Sequence, residues 1–269
     1  MIVELKQYVV DAFTESVFTG NPAAVCVLER WLPDGVMQKI AAENCLSETA
    51  FAVKTGDRYH LRWFTPGCEV GLCGHATLAT AYVLTRFYEP EAQNLTFDSR
   101  SGVLTVEKQG DRFCLDFPAA RLEAQELTPA MTDMLGAVPA ETFIASSLMF
   151  VLDSEEQVRE FKPDFAKMLA LPEGTGVLIT APAHEGADYD FVSRCFFPKQ
   201  AINEDPVCGS AHCRFVPYWA KRLGKSTLTG RQLSARGGYL YCEDRGDRVR
   251  ISGPAALFSQ AIIHVPVEE

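Results

Sequence analysis

The chain has no CxxC pair: its nine cysteines, an odd number, are scattered along 269 residues. That argues against a regular disulfide scaffold and against short-spaced zinc ligation. No apolar run reaches the ~18–20 residues of a membrane-spanning helix. The opening residues Met1-Ile2-Val3-Glu4-Leu5-Lys6 are not a charged stretch leading into an apolar one, so no secretory leader is expected. Reduced, mostly buried thiols in a cytoplasmic protein are the expectation. Positive charge is also scarce. Twenty-five Lys and Arg against 35 Asp and Glu leave a net charge of −10. That balance disfavours nucleic acid and anionic membranes as partners. It leaves a small anionic substrate open, because such a ligand needs only local donors. Low-complexity segments and long linkers are missing too.

What the chain does have is a long internal repeat. Val70-Gly71-Leu72-Cys73-Gly74-His75-Ala76 and Asp205-Pro206-Val207-Cys208-Gly209-Ser210-Ala211 each place a thiol and a glycine at the start of an apolar segment. Residues 100–120 align without a gap on 236–256, with Arg100/Arg236, Gly102/Gly238, Leu104/Leu240, Glu107/Glu243, Gly110/Gly246 and Pro118/Pro254 among the identities. Arg62-Trp63-Phe64-Thr65-Pro66 similarly echoes Arg194-Cys195-Phe196-Phe197-Pro198. A period this long indicates a duplicated domain, since solenoid units run about 20–50 residues. The expected architecture is α+β, with two pseudo-symmetric domains over residues 1–120 plus 258–269 and 121–257.

Local patterns fill in the elements. Residues 76–84 have hardly a polar face, as expected of a helix buried all round. A helix is expected from Asp34, with an apolar stripe of Val36, Ile40, Ala41 and Cys45. Thr19-Gly20-Asn21-Pro22 reads as a turn. Pro217 should kink the second apolar helix and free the carbonyl of Cys213. Residues 143–152 look like one strand, 249–251 and 261–265 like two separate ones, and Arg62 and Arg194 are expected on exposed strand faces.

Several residues could carry chemistry. Helices starting at Gly74 and Gly209 offer backbone N–H groups and the positive end of a helix dipole to a carboxylate, or they are merely tight turns. Cys73 and Cys208, at helix N-termini, should have lowered pKa values and could form a two-base pair across a substrate carbon, or be small core residues. A zinc set of Cys73, His75, Cys208 and His212 lacks the usual short spacing. Glu48 has no counterpart in the second half and sits among Leu46, Ala50 and Phe51. Desolvation there would raise its pKa towards the general acid–base range, unless it is a surface or capping residue. Asp205 could bond a substrate hydroxyl, orient His75, or cap its turn.

Four words together resemble the phenazine-biosynthesis isomerase (PhzF-like) family: Phe18-Thr19-Gly20-Asn21-Pro22-Ala23-Ala24-Val25, Leu46-Ser47-Glu48-Thr49-Ala50-Phe51, Leu72-Cys73-Gly74-His75-Ala76-Thr77-Leu78-Ala79 and Glu204-Asp205-Pro206-Val207-Cys208-Gly209-Ser210-Ala211-His212. The resemblance implies a diaminopimelate-epimerase-like fold, each domain a curled, mostly antiparallel sheet around a central helix, usually in a homodimer. It also implies a last strand that returns to the first domain. The implied activity is a cofactor-free isomerisation, in which a glutamate at Glu48 moves a proton; no metal is expected, on the ligand spacing above. His75, Asp205 and Ser210 fall on the other active-site positions. Gly74 and Gly209 fall on the backbone that holds the substrate carboxylate, with Asn21 and Ala76 beside the bound substrate. The Cys73 and Cys208 pair is instead similar to that of diaminopimelate epimerases and proline racemases. An amino-acid racemase, or a binding module without turnover, is therefore the alternative.

Overall fold

Helix α2 (Gly74–Phe87) shows how the first half is built. Ala76, Leu78, Ala79, Ala81, Val83 and Leu84 are all buried, and so are three threonines. Buried hydroxyls need partners. Thr77, Thr80 and Thr85 donate to the carbonyls of Cys73, Ala76 and Ala81, four residues back, so the helix satisfies its own polar groups. Small side chains then let strands pack closely around it.

The computed structural model describes residues 2–266 and divides into two units, Met1–Asp116 with Ser252–Glu269, and Phe117–Ile251. The first contains β1 (Ile2–Ala12), β2 (Asn21–Leu28), α1 (Asp34–Asn44), β3 (Glu48–Thr55), β4 (Arg58–Phe64), β5 (Glu69–Val70), α2, β6 (Asn94–Ser99), β7 (Gly102–Gln109) and most of β8 (Arg112–Pro118). Strands β2 and β3 are parallel, β3 and β4 antiparallel, β4 and β6 parallel, and β6 and β7 antiparallel. Helix α2 packs on β1, β2 and β3. On α1 the buried positions are Met37, Ile40 and Ala41. Cys45, expected on that stripe, is exposed and ends the helix in the left-handed conformation, φ 52°.

The second unit contains β9 (Glu123–Ala124), α3 (Pro129–Leu135), β10 (Glu141–Ile144), β11 (Leu148–Val151), α4 (Glu155–Glu160), α5 (Phe165–Ala170), β12 (Val177–Pro182), β13 (Phe191–Phe197), β14 (Ile202–Asp205), α6 (Gly209–Leu223), β15 (Thr227–Gln232) and β16 (Gly238–Asp244). Its pairings follow the same sequence of senses: β11 and β12 parallel, β12 and β13 antiparallel, β13 and β15 parallel, β15 and β16 antiparallel. Leu148, Phe150, Val158, Met168, Ile179 and Phe196 form its core. Pro217 lies within α6, and the carbonyl of Cys213 that it frees accepts the N–H of Ala120 at 3.0 Å.

Three expectations need correction. Residues 143–152 form not one strand but an antiparallel pair, because Ala145-Ser146-Ser147 turns the chain between β10 and β11. The two expected C-terminal strands are one, β17 (Arg248–Pro266), which passes from the second unit into the first and pairs with β1 from Ala12↔Ala255 to Ile2↔Pro266. Gly253 permits this passage, since a Cβ there would lie 2.4 Å from the Phe13 ring. The same pairing explains why the unit boundaries fall earlier than 120 and 258. Residues 255–257 already pair with β1, whereas Ala119 and Ala120 bond to Asp247 and Cys213. Of the expected tail 258–269, residues 267–269 lie outside the described residues.

The third correction concerns the arginines. Arg194 is buried, with Nε and Nη2 donating to the two carboxylate oxygens of Glu204 at 2.7 and 2.9 Å. In the first unit Arg62 grips Glu69 through Nε and Nη2 at 2.7 and 2.8 Å. A guanidinium can enter a sheet face when a carboxylate meets its planar fork.

Glu155, at the start of α4, is another buried carboxylate. Burial pushes its pKa up, but donors from His184 and Tyr189 and the Arg159 cation outweigh it, lowering the value from 4.5 to about 2. A carboxyl with a depressed folded pKa contributes stability above its unfolded value and loses it as pH falls. Glu155→Gln should therefore cost about 2–3 kcal/mol at neutral pH. Its deficit relative to wild type should shrink as pH falls from 4.5 towards 2. Melting temperatures of both proteins across that range check this, and a deficit independent of pH would refute it.

Candidate functional site

The first-unit site follows from strand register. Asn21 and Glu48 are the first residues of the parallel neighbours β2 and β3. Asn21 and Ala23 share a sheet face by the period of two, and Ala23 is the register partner of Glu48. The amide and the carboxylate thus point to one face, the face on which α2 packs. Gly20 fixes the entry into β2. Its φ is +68°, and a Cβ would lie 2.3 Å from the Ala12 carbonyl oxygen. The side chain of Asn44 steadies the entry to β3 by donating to Thr49 Oγ1 at 3.0 Å.

Helix α2 brings Cys73, its N-cap, and His75 to this face. The imidazole Nδ1 lies 3.2 Å from the Asn21 amide nitrogen and 3.5 Å from the Cys73 sulfur. On the other edge Nε2 lies 3.2 Å from Glu48 Oε2, without the alignment of a hydrogen bond. Glu48, Cys73 and His75 are 8%, 7% and 6% exposed. The ring therefore has two donors on one side and an acidic acceptor on the other. Burial pushes the His75 pKa down, but the neighbouring Cys73 and Glu48 overcome it and hold the value well above the ordinary 6.5.

Cys73 contradicts the sequence expectation. Burial, reinforced by the Glu48 charge, raises its thiol to about 11. Desolvation outweighs the helix N-terminus, whose field is worth only ~0.3–1 kcal/mol at ordinary sites. Neither Cys73 nor Cys208 makes a side-chain capping bond to its helix. The first turns of α2 and α6 therefore keep anion-binding character. Gly74 and Gly209 do not take positive φ values, so glycine contributes there by having no side chain. Ala76, in the first turn of α2, is fully buried.

In the second unit Cys208 is buried and its sulfur lies 3.4 Å from the hydroxyl of exposed Ser210. Asp205 ends β14 opposite Cys195. Gln232, which the sequence did not single out, ties this turn together. Its side-chain oxygen accepts the Cys208 N–H at 2.8 Å, and its amide donates to the Asp205 carbonyl at 2.5 Å. A glutamine closing a strand carries no sequence signal, and only its complete burial marks it. His212 is structural. Its Nδ1–H donates to the Cys208 carbonyl at 2.8 Å, and burial lowers its pKa to about 4. Among the described residues, the donor set able to hold a metal is Glu48, Cys73 and His75, in place of the four residues weighed from sequence.

The family model described as phenazine biosynthesis-like protein matches residues 10–261. A Pseudomonas aeruginosa protein named an uncharacterized isomerase is 48% identical over 98% of this chain and all of its own length. A crystal structure of a PhzF-family phenazine biosynthesis protein from Enterococcus faecalis is 51% identical, with a TM-score of 0.94 over 97% of this chain and 99% of that one. A hydroxyproline epimerase from Agrobacterium vitis shares the fold alone, with a TM-score of 0.59 at 10% identity over 97% of this chain and 91% of that one. No helix among the described residues is long and apolar enough to cross a membrane.

Proposed function

The chain belongs to the phenazine biosynthesis-like (PhzC-PhzF) family, and on that premise we propose that it is a cofactor-independent isomerase that shifts a proton on a small carboxylate-bearing substrate. The observation that carries this reading is the pair Glu48 and His75. A buried carboxylate oxygen and a buried imidazole nitrogen sit 3.2 Å apart, and neither is engaged in an aligned hydrogen bond. Buried polar atoms left this way are costly in a purely structural role and useful in a reactive one.

In this reading Glu48 takes the proton from one substrate carbon, exchanges it with solvent and delivers a proton to another. His75, held by Asn21, positions the substrate and stabilises the carboxylate charge. The first turn of α2, at Gly74 and Ala76, receives the substrate carboxylate, with Gly209 acting likewise on α6. From the second unit, Asp205 and Ser210 are proposed as substrate-contacting groups. Duplication of one ancestral unit is supported by the matching pairing senses and by the Arg62–Glu69 and Arg194–Glu204 clamps, which precede Cys73 and Cys208 at corresponding positions. A second copy of the chain, in the cytoplasm, is the proposed partner.

A racemase using Cys73 and Cys208 draws on the epimerase fold, but a base must be a thiolate, and the Cys73 thiol is pushed up to about 11. Incubation in D2O with amino acids, hydroxy acids and dihydro-3-hydroxyanthranilate, followed by NMR, tests the proposal. Exchange of one carbon-bound hydrogen without added cofactor is expected, and Cys208→Ser should retain it. A ligand that raises the melting temperature yet never exchanges would identify a binding module instead.

A further inference from the structure

The Glu48–Cys73–His75 cluster has a property that proton transfer does not require. A sulfur, an imidazole nitrogen and a carboxylate oxygen all lie within 4.8 Å of one another. Glu48 Oε2 and His75 Nε2, both more than nine-tenths buried, have no aligned partner. We propose that these three side chains form a capture site for Zn2+, and that its occupation shuts the active site.

The donor chemistry selects the ion. Thiolate, imidazole and carboxylate together suit zinc, whereas Mg2+ and Ca2+ favour oxygen ligands. The geometry is close to what zinc needs. Metal–donor bonds of ~2.0–2.3 Å around a tetrahedron put neighbouring donors ~3.3–3.6 Å apart. Glu48 Oε2 lies 3.2 Å from His75 Nε2, the nitrogen that would take the ion, and one donor atom from each of the three residues falls within 4.8 Å of the others, so the thiol, now 3.5 Å from Nδ1, turns towards Nε2 on binding. Three protein donors leave one position for water or a ligand carboxylate. Binding sends the thiol proton, and the imidazole proton where the ring carries one, into solvent, and no electron is transferred. The ion also replaces the missing partners of Oε2 and Nε2. Metal binding depends only on this cluster. Inhibition rests in addition on the proposed role of Glu48, because the coordinated carboxylate can no longer accept a substrate proton.

The test uses the full-length, reduced, chelator-treated protein. Zn2+ is titrated in competition with a chromophoric chelator, and Co2+ binding is followed through the near-ultraviolet thiolate-to-cobalt charge-transfer band. Wild type should bind one Zn2+ and show the band. Cys73→Ala should bind about 100-fold more weakly and lose the band. Replacing the exposed thiols, Cys45→Ser with Cys68→Ser, should change neither. Glu48→Gln is the second variant should Cys73→Ala not fold, and it should weaken binding while keeping the band. Failure of wild type to compete with the chelator overturns the site, as does wild-type affinity in Cys73→Ala or loss of binding in the exposed-thiol variant. Site-specific binding that leaves deuterium exchange unaffected would uphold the metal site, overturn the inhibition, and count against Glu48 as the proton carrier.

Discussion

Glu48→Gln should lower the turnover number about 10³-fold, the scale of a lost general acid–base group. The substitution keeps the volume and hydrogen-bonding outline of the side chain and removes only its charge and basicity. Since Oε2 is not in an aligned hydrogen bond, its removal should cost little native structure. The stability effect that remains has a defined sign. Cys73 and Glu48 together hold the His75 pKa above 6.5, and a base with a raised folded pKa gains stability that is complete below its unfolded value and disappears as pH rises through the folded one. Glu48→Gln should therefore destabilise the protein more in mildly acidic than in alkaline solution. Steady-state rates and melting temperatures measured over the same pH range check both parts. Turnover within tenfold of wild type would remove Glu48 from the chemistry, as would a rate loss matched by global unfolding.

Arg194→Met should be the most damaging substitution to stability away from the proposed chemistry. Besides Glu204, the guanidinium donates through Nη1 to the carbonyls of Phe161 at 2.6 Å and Val158 at 3.3 Å, and its carbon lies 5.1 Å from the Phe196 ring centre. It thus joins β13, β14 and the C-terminal end of α4. Methionine fills much of the space but leaves the Glu204 carboxylate and two carbonyls without their donor. Breaking a buried ion pair costs about 3–5 kcal/mol, which in a protein of this size lowers the melting temperature by about 10 °C. Arg62→Met should cost less. Its further bond, 2.9 Å from Nη1 to Asp34, ends on an exposed carboxylate that water can resolvate. Differential scanning calorimetry of the two variants checks the ranking. Equal, sub-kilocalorie losses would show that Arg194 is solvated in solution.

Much of this was legible in the sequence because local patterns decide it. The run 76–84 announces a buried helix, and Pro217 announces a free Cys213 carbonyl, for which the structure supplies the Ala120 N–H. Asn21, Glu48, Cys73 and His75 were each marked by an unusual residue in an apolar or turn setting, and the fold brings them to one face. The arginines were misread because strand alternation cannot show a carboxylate 10 residues away that folds back onto the guanidinium. The Cys73 thiol was misread because sequence reveals the helix start but not the depth of burial, and burial is the larger effect. Residues 249–251 and 261–265 looked like two strands, yet β17 runs through Gly253 and Pro254, where the absence of a side chain on Gly253 leaves room for the Phe13 ring.

The most direct test of the central claim is the position of deuterium in the product formed in D2O by wild type, Glu48→Gln and Cys208→Ser, resolved by NMR. The account predicts deuterium at a carbon other than the one deprotonated, abolished in Glu48→Gln and retained in Cys208→Ser. Deuterium at the original stereocentre with inverted configuration, retained in Glu48→Gln and lost in Cys208→Ser, would contradict it and make the protein a two-thiol racemase.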